Sequence, residues 1–273
     1  MTYENILYAV DDRVATITMN RPTKMNAMSL DLCNEVKAAV AAADADPEVR
    51  VVILTGAGGK AFSAGYDLAD PKAKAYRDKG IEGWHWRMNH DLNYNYCVWR
   101  CSKPVIAMIN GFCLAGALEL AQMCDVRYCS DDSRFGVVET RFSAAIACLS
   151  MPWVVGARAR ELIYTGDIFG ADEALRLGLV NRVFKKADLE KEVTKIAKRM
   201  SRVALACLQW NKRALNQTQV SQGMAAALQY GAEAGAILDA TETPELKEFN
   251  RLRNTVSLAA AMKWRDDQFK QFE

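Results

Sequence analysis

The stretch NGFCLAGALELAQMCD, residues 110–125, holds an acid where nearly every neighbour is apolar or small. Between Phe112 and Cys124 the polar exceptions are Glu119 and Gln122. Small residues at Ala115, Gly116 and Ala117 give way to good helix formers, so a strand ending near Asn110 should lead into a helix starting near Gly116. The first N–H groups of such a helix have no acceptor within it. Glycine lets a ligand come close to them, and the helix dipole favours negative charge there. Glu119 follows three residues later, one turn along and on about the same face. The spacing thus sets a carboxylate beside an anion-binding helix start. The structural alternative is an ion pair with an arginine from another element, such as Arg127 or Arg141. Spacing alone leaves both readings open.

Two other motifs fail on context. GAGGKA, residues 56–61, follows an apolar run like a phosphate loop, but a Walker loop needs glycine where Leu54 stands and Ser or Thr where Ala61 stands. The looser G-x-G-x-x-A pattern fits, yet FSAGYD follows it instead of a clear helix. AFSAG, residues 61–65, nearly matches a nucleophile elbow at Ser63. That chemistry needs a histidine after the acid, late in chain order, whereas the two histidines, His85 and His90, follow soon after the serine. Ser63 is therefore read as a packing or turn-capping residue. His85, His90, Trp84 and Trp86 are read as surface or lid residues.

The chain has 273 residues, enough for one large domain or a domain with an extension. Half of it is hydrophobic, so a sizeable core can form, and a net charge of +2 gives no reason to expect nucleic acid. No apolar run reaches membrane-spanning length, and MTYENILYAVDDRV carries neither a basic nor an apolar leader. Eight cysteines without a C-x-x-C pair, and two histidines, are poor material for zinc. In apolar company they read as reduced, mostly buried thiols. A cytoplasmic protein without a metal is expected.

The elements that must position Glu119 follow a rhythm. ILYAVDDRVATITMNRP alternates around DD like a hairpin ending at Pro22, and SLDLCNEVKAAVAAADAD has helical spacing with Ser29 as N-cap. VRVVILTGAGG, KPVIAMINGF and CDVRYCS read as strands covered on both faces. This predicts an α/β architecture with sites at the carboxyl ends of the strands. Residues 70–95, charged and tryptophan-rich, read as an inserted helix or lid. ADEALRLGLVNRVF reads as helix, glycine stop and strand, and from Ala187 several amphipathic helices follow.

Taken together, NGFCLAGALELAQMCDVRYCSDDSRFGVVE, KAFSAGYDL and NRPTKMNAMS resemble the crotonase (enoyl-CoA hydratase/isomerase) superfamily across residues 5–200. The resemblance implies a crotonase-like fold of repeated ββα units. Residues 1–200 would form an acyl-CoA-binding catalytic core, and residues 201–273 a C-terminal helical extension used in oligomer contacts. It implies an acyl-CoA thioester substrate, with coenzyme A as part of the substrate and no separate cofactor. The backbone N–H groups of Tyr66 and Gly116 would form an oxyanion hole. Glu119, and Glu139 in FGVVE, would be the two catalytic carboxylates. Lys24, Met25 and Ala27 in TKMNA, Ala64, Asp67 and Leu68 in SAGYDL, and Lys263 near the C-terminus would contact the CoA. A homotrimer or dimer of trimers is implied, with no nucleic acid or membrane partner. The implied reaction is hydration of a 2-enoyl-CoA. Isomerase, dehydratase, hydrolase or decarboxylase chemistry, or a non-catalytic acyl-CoA-binding role, are the alternatives.

The pattern departs from the family after Glu139. TRFSAAIACLSMPWVVGARAREL replaces a glycine-rich segment, so Arg141, Phe142, Ser143 and the small residues 144–147 should reshape the acyl pocket. The family's L-G-G-G is L-A-G-A here, which keeps the glycine at position 116. Ala261 stands where an aromatic residue is common.

Overall fold

The computed structural model describes residues 3–272. It contains ten strands: β1 (Ile6–Asp11), β2 (Val14–Met19), β3 (Val51–Gly56), β4 (Ala61–Ser63), β5 (Val105–Ile109), β6 (Phe112–Leu114), β7 (Val126–Ser130), β8 (Arg134–Gly136), β9 (Phe169–Gly170) and β10 (Arg182–Phe184). They form a six-stranded sheet, β1-β2-β3-β5-β7-β10, and a four-stranded sheet, β4-β6-β8-β9. β1 and β2 are the expected hairpin, antiparallel and closed by Asp12 and Arg13 at φ 48° and 68°. Positive φ at both turn residues matches the twist of the strands it joins. The other pairings of the larger sheet are parallel.

The repeated unit is a strand in the large sheet, a short strand in the small sheet, then helix or helical turn. β3 and β4 lead to helices Pro71–Arg77 and Ile81–Arg100, β5 and β6 to Gly116–Met123, and β7 and β8 to the 3-10 turn Val138–Phe142. Every residue of β3 and β5 is buried, as their unbroken apolar runs require. Ser29 caps the helix Leu30–Ala45, its hydroxyl accepting from Leu32 N–H at 3.3 Å. Gly178, at φ 76°, separates the helix Ala171–Arg176 from β10.

Residues 70–95 are not a detached lid. They form the short helix Pro71–Arg77 and most of Ile81–Arg100, which buries Leu92, Tyr94 and Tyr96 in the core. Trp86 stacks between Tyr76, at 3.8 Å, and His90, at 5.0 Å. The helix Leu189–Met200 covers one face of the large sheet. Met224–Thr241 adds Met224, Leu228, Ala232 and Ala236 to the main core. Pro244–Thr255 and Leu258–Phe269 make a smaller cluster with Phe142, whose ring stacks on Phe249 at 4.3 Å. All eight cysteines are free thiols, and only Cys207 is exposed. Among the described residues no helix is long and apolar enough to cross a membrane.

Candidate active site

β4 and β6 are parallel neighbours, so the chain leaves both at the same end. The turns that follow come into contact. Gly65, at φ 95°, has no room for a side chain: a Cβ there would lie 2.9 Å from Ala115 Cβ and 3.4 Å from Gly116 N. Ala115, at φ 52° and ψ −132°, precedes the helix Gly116–Met123. Gly116 is equally constrained, since a Cβ on it would lie 2.3 Å from the Tyr66 ring.

These turns present backbone donors. Met28 N–H donates to Gly65 O at 2.9 Å, and Asp67 N–H to Met28 O at 3.0 Å. Alternation along an extended chain then turns the Tyr66 N–H away from Met28. The Gly116 N–H opens a helix and has no acceptor within it. The same bonds tie the 24–28 segment to the 64–67 turn, with Ala64 N–H donating to Met25 O at 3.0 Å. Ser63 is buried and its hydroxyl accepts from Gly65 N–H at 3.2 Å, a turn cap and not a nucleophile paired with histidine. Among the described residues, no group of three or more His, Cys, Asp or Glu could hold a metal ion.

Glu119 lies one turn into the helix. Glu139 lies on the turn after β8, whose Gly136 accepts from Ala115 N–H at 2.9 Å. Both carboxylates are 5 % exposed and line one cavity of about 140 Å³ with Tyr66 and Gly116. The arginine-pair reading of Glu119 does not hold. Arg127 donates to the backbone carbonyls of Leu179 and Cys124, and Arg141 pairs with Asp167 at 2.6 Å. Glu119 accepts instead from Cys148 N–H at 2.9 Å, Ala147 N–H at 3.3 Å and Asn95 Nδ2 at 3.3 Å. The segment that replaces the glycine-rich stretch thus supplies two of its three donors, while Phe142, Ala144 and Ala145 wall the cavity. Glu139 Oε2 is buried with no partner among the described residues.

The electrostatics follow from burial. Desolvation, then the charge of Glu139, holds the Glu119 carboxyl well above the usual range, against the pull of the Cys148 and Ala147 N–H groups. Burial pushes Glu139 up to about 8, against its own backbone N–H and Arg265. The two titrate as one unit.

Several polar groups at the cavity were not singled out in the sequence. Arg87, Asp91 and Asn95 recur at one-turn spacing on Ile81–Arg100. Arg87 pairs with Asp91 at 2.6 Å and lies 5.0 Å from the Tyr66 ring centre. Asn95 joins Glu119 to the Tyr66 hydroxyl, which it meets at 3.0 Å. Asp239 and Arg265 arrive from the C-terminal helices. The R-x-x-x-D-x-x-x-N spacing is the one local signal for the first three, submerged among the other polar residues of the helix; Asp239 and Arg265 have none.

Of the residues named for CoA, Ala64 and Leu68 line the cavity. Lys24, Met25 and Ala27 sit behind the 64–67 turn and outside that lining. Asp67 is buried and pairs with Arg21 at 2.9 Å, with Lys24 at 3.9 Å. Lys263 is exposed, paired with Asp267, and does not reach the cavity; its neighbours Met262 and Arg265 do.

Comparison with known proteins agrees with this geometry. The family model "Enoyl-CoA hydratase/isomerase" matches residues 10–248. A crotonyl-CoA hydratase of Syntrophomonas wolfei is 37% identical over 235 residues, 82% of this chain and 87% of that protein. A short-chain-enoyl-CoA hydratase of Clostridium acetobutylicum is 34% identical over 221 residues, 80% of this chain and 83% of the other. The crystal structure of an enoyl-CoA hydratase/isomerase from Xanthobacter autotrophicus Py2 superposes with a TM-score of 0.94 at 37% identity, covering 98% of this chain and 99% of that one. The matching family model, the relatives at this identity and the shared two-sheet fold show that the chain belongs to the enoyl-CoA hydratase/isomerase (crotonase) family.

Proposed function

We propose that the protein adds water across the conjugated double bond of a 2-enoyl-CoA thioester. The observation that carries this reading is the pair Glu119 and Glu139, both buried in one cavity beside the turns of Tyr66 and Gly116. The N–H groups of Tyr66 and Gly116 hold the thioester oxygen as negative charge develops on it, each donor contributing roughly 3 kcal/mol. Glu119, held by three donors, takes a proton from water as the hydroxyl oxygen bonds to Cβ. Glu139 gives its proton to Cα, and proton exchange between the two carboxyls restores the starting state. Burial raises both carboxyls, and as a coupled pair they share one proton, which in this reading sits on Glu139 and leaves Glu119 ionised as the base.

The CoA runs along Lys24, Met25, Ala27, Ala64, Asp67 and Leu68, with Lys263 near its phosphates. The ion pair of Arg21 with Asp67 stiffens that path. Exposed Trp210, Leu215, Tyr230 and Ile237 on the helices after residue 200 support the use of residues 201–273 in a trimer or dimer of trimers. The eight free thiols suit the cytoplasm.

The test is loss of the ultraviolet absorbance of conjugation in crotonyl-CoA and a longer trans-2-enoyl-CoA. Rapid loss in the parent protein, abolished by Glu139→Ala and strongly slowed by Glu119→Gln, is expected. No loss, with CoA thioesters still binding, would remove hydration. A second reading rests on the unpartnered Glu139 Oε2: one free carboxyl suffices to carry a proton between Cα and Cγ in an isomerisation. It predicts turnover of a 3-enoyl-CoA that survives Glu119→Gln.

A further inference from the structure

The cavity holds four arginines and four acids in its lining. Besides its glutamates it is lined by Arg77, Arg87, Arg253 and Arg265. Arg87 is matched by Asp91 at 2.6 Å, and Arg265 by Asp266 at 2.7 Å. The guanidinium of Arg77, the last residue of the helix Pro71–Arg77, has no hydrogen bond and no carboxylate within ion-pair distance among the described residues. Arg253, on Pro244–Thr255, bonds only to the side-chain oxygen of Asn254, at 3.3 Å, among the described residues. Both are half-buried. Burial, then the positive charges of Arg253 and Arg87, pulls Arg77 down to about 10. Two guanidinium groups brought together from separate helices, and repelling one another, are an incomplete arrangement.

The nearby acid is Asp239, which lines the same cavity and accepts from Ala145 N–H at 2.9 Å. Burial raises its carboxyl to about 6, against the Ala145 N–H and the charges of Arg77 and Arg87, with Asp91 adding to the rise. Asp70 and Asp78 also favour the charge on Arg77, but neither lies within ion-pair distance of its guanidinium, so Arg77 and Arg253 both keep an open fork. The surrounding wall also points to the acyl end. Trp84, Arg87, Met88 and Ala145 share this cavity; of the residues proposed for CoA, Ala64 and Leu68 reach it, while Lys24, Met25 and Ala27 do not.

We propose that Arg77 and Arg253 form a carboxylate-binding subsite of the acyl cavity, so that the preferred acyl group ends in a carboxylate, as in a dicarboxylic mono-CoA thioester. This rests on the acyl-CoA reading of the site. The planar guanidinium fork is suited to two parallel bonds to a carboxylate, and partial burial strengthens them. The apolar wall then covers the chain between thioester and carboxylate.

Equilibrium binding by titration calorimetry tests this without turnover. Glutaryl-CoA and adipyl-CoA are compared with chain-matched pentanoyl-CoA and hexanoyl-CoA, and with free CoA. The parent protein should bind at least one diacid thioester about tenfold or more tightly than its uncharged match. Arg77→Met, which keeps the aliphatic stem, should bring that ratio towards one. Arg253→Met does the same and serves if the first variant melts early. Equal affinity for diacid and monoacid thioesters in the parent overturns the proposal. So does a loss of free-CoA affinity in Arg77→Met as large as the loss for the diacid, because the cations would then serve the CoA phosphates. If no CoA compound binds at all, the acyl-CoA reading itself fails and the subsite falls with it.

Discussion

Asn95 Nδ2 lies 3.3 Å from Glu119 Oε2 and 3.0 Å from the Tyr66 hydroxyl, so one amide links the carboxylate proposed as the base to the residue whose backbone N–H is proposed for the oxyanion hole. The amide also donates to Asp91 O at 2.9 Å, which fixes it to its own helix. Removing it takes a donor from Glu119 and frees the Tyr66 ring. Asn95→Ala should lower kcat by roughly 3- to 10-fold, the worth of one neutral hydrogen bond, with little change in KM. Asn95→Asp places another acid beside Glu119 and should cost more. If Asn95→Ala raises KM and leaves kcat alone, the residue shapes the binding wall and does not position Glu119.

Ala115 carries strain that glycine would relieve. Its φ of 52° and ψ of −132° lie where residues with a Cβ are rarely found. Such strain costs about 1–3 kcal/mol, while glycine gives back roughly 0.4–1 kcal/mol through the freer unfolded chain. Ala115→Gly should therefore stabilise the protein by about 1 kcal/mol in urea unfolding. A lower midpoint would mean that the Ala115 methyl, close to Gly65, contributes more by packing than its backbone loses.

The legible parts of this molecule were those written in local spacing. The fully buried strands β3 and β5, the Ser29 cap and the Gly116 helix start are short-range patterns, and the structure has each of them. Glu119 stood out because an acid in an apolar run needs a reason. Its partners did not, because the N–H groups of Ala147 and Cys148 come from a segment with no regular period. β4, β6 and β8 have three residues each, too few for alternation to show, so the second sheet was hidden. Arg87, Asp91 and Asn95 were masked by the many other polar residues of their helix, which made a buried polar stripe look like a solvated face. Asp239 and Arg265 reach the cavity only through long-range packing of the last helices, and no local rule reports that.

Gly116 tests the contact between the two turns. A Cβ there would lie 2.3 and 2.5 Å from Cε2 and Cδ2 of Tyr66, so the ring must move and its bond to Asn95 breaks. Gly116→Ala should cost about 1–3 kcal/mol of stability, as overpacking does, and most of the activity. Adding Tyr66→Ala makes room for the methyl and should recover much of the stability. An additive double variant would show that the clash lies elsewhere.

Glu139 predicts a pH dependence of stability with a definite sign. Its carboxyl titrates near 8 in the folded protein against 4.5 as the reference value. Between these the folded state holds more protons than the unfolded state, so stability falls as pH rises. The favourable contribution is fully present below about pH 4.5, is lost progressively up to about pH 8, and is absent above it. Glu139→Gln, which cannot ionise, should therefore gain thermal stability over the parent as pH increases, with the gap widening from pH 5 to about pH 8 and then levelling, at up to a few kcal/mol. Parallel melting curves at pH 5 and pH 9, with the same offset between variant and parent, would show that Glu139 ionises in the fold as it does in water, and its assignment as the proton donor to Cα would lose its physical basis.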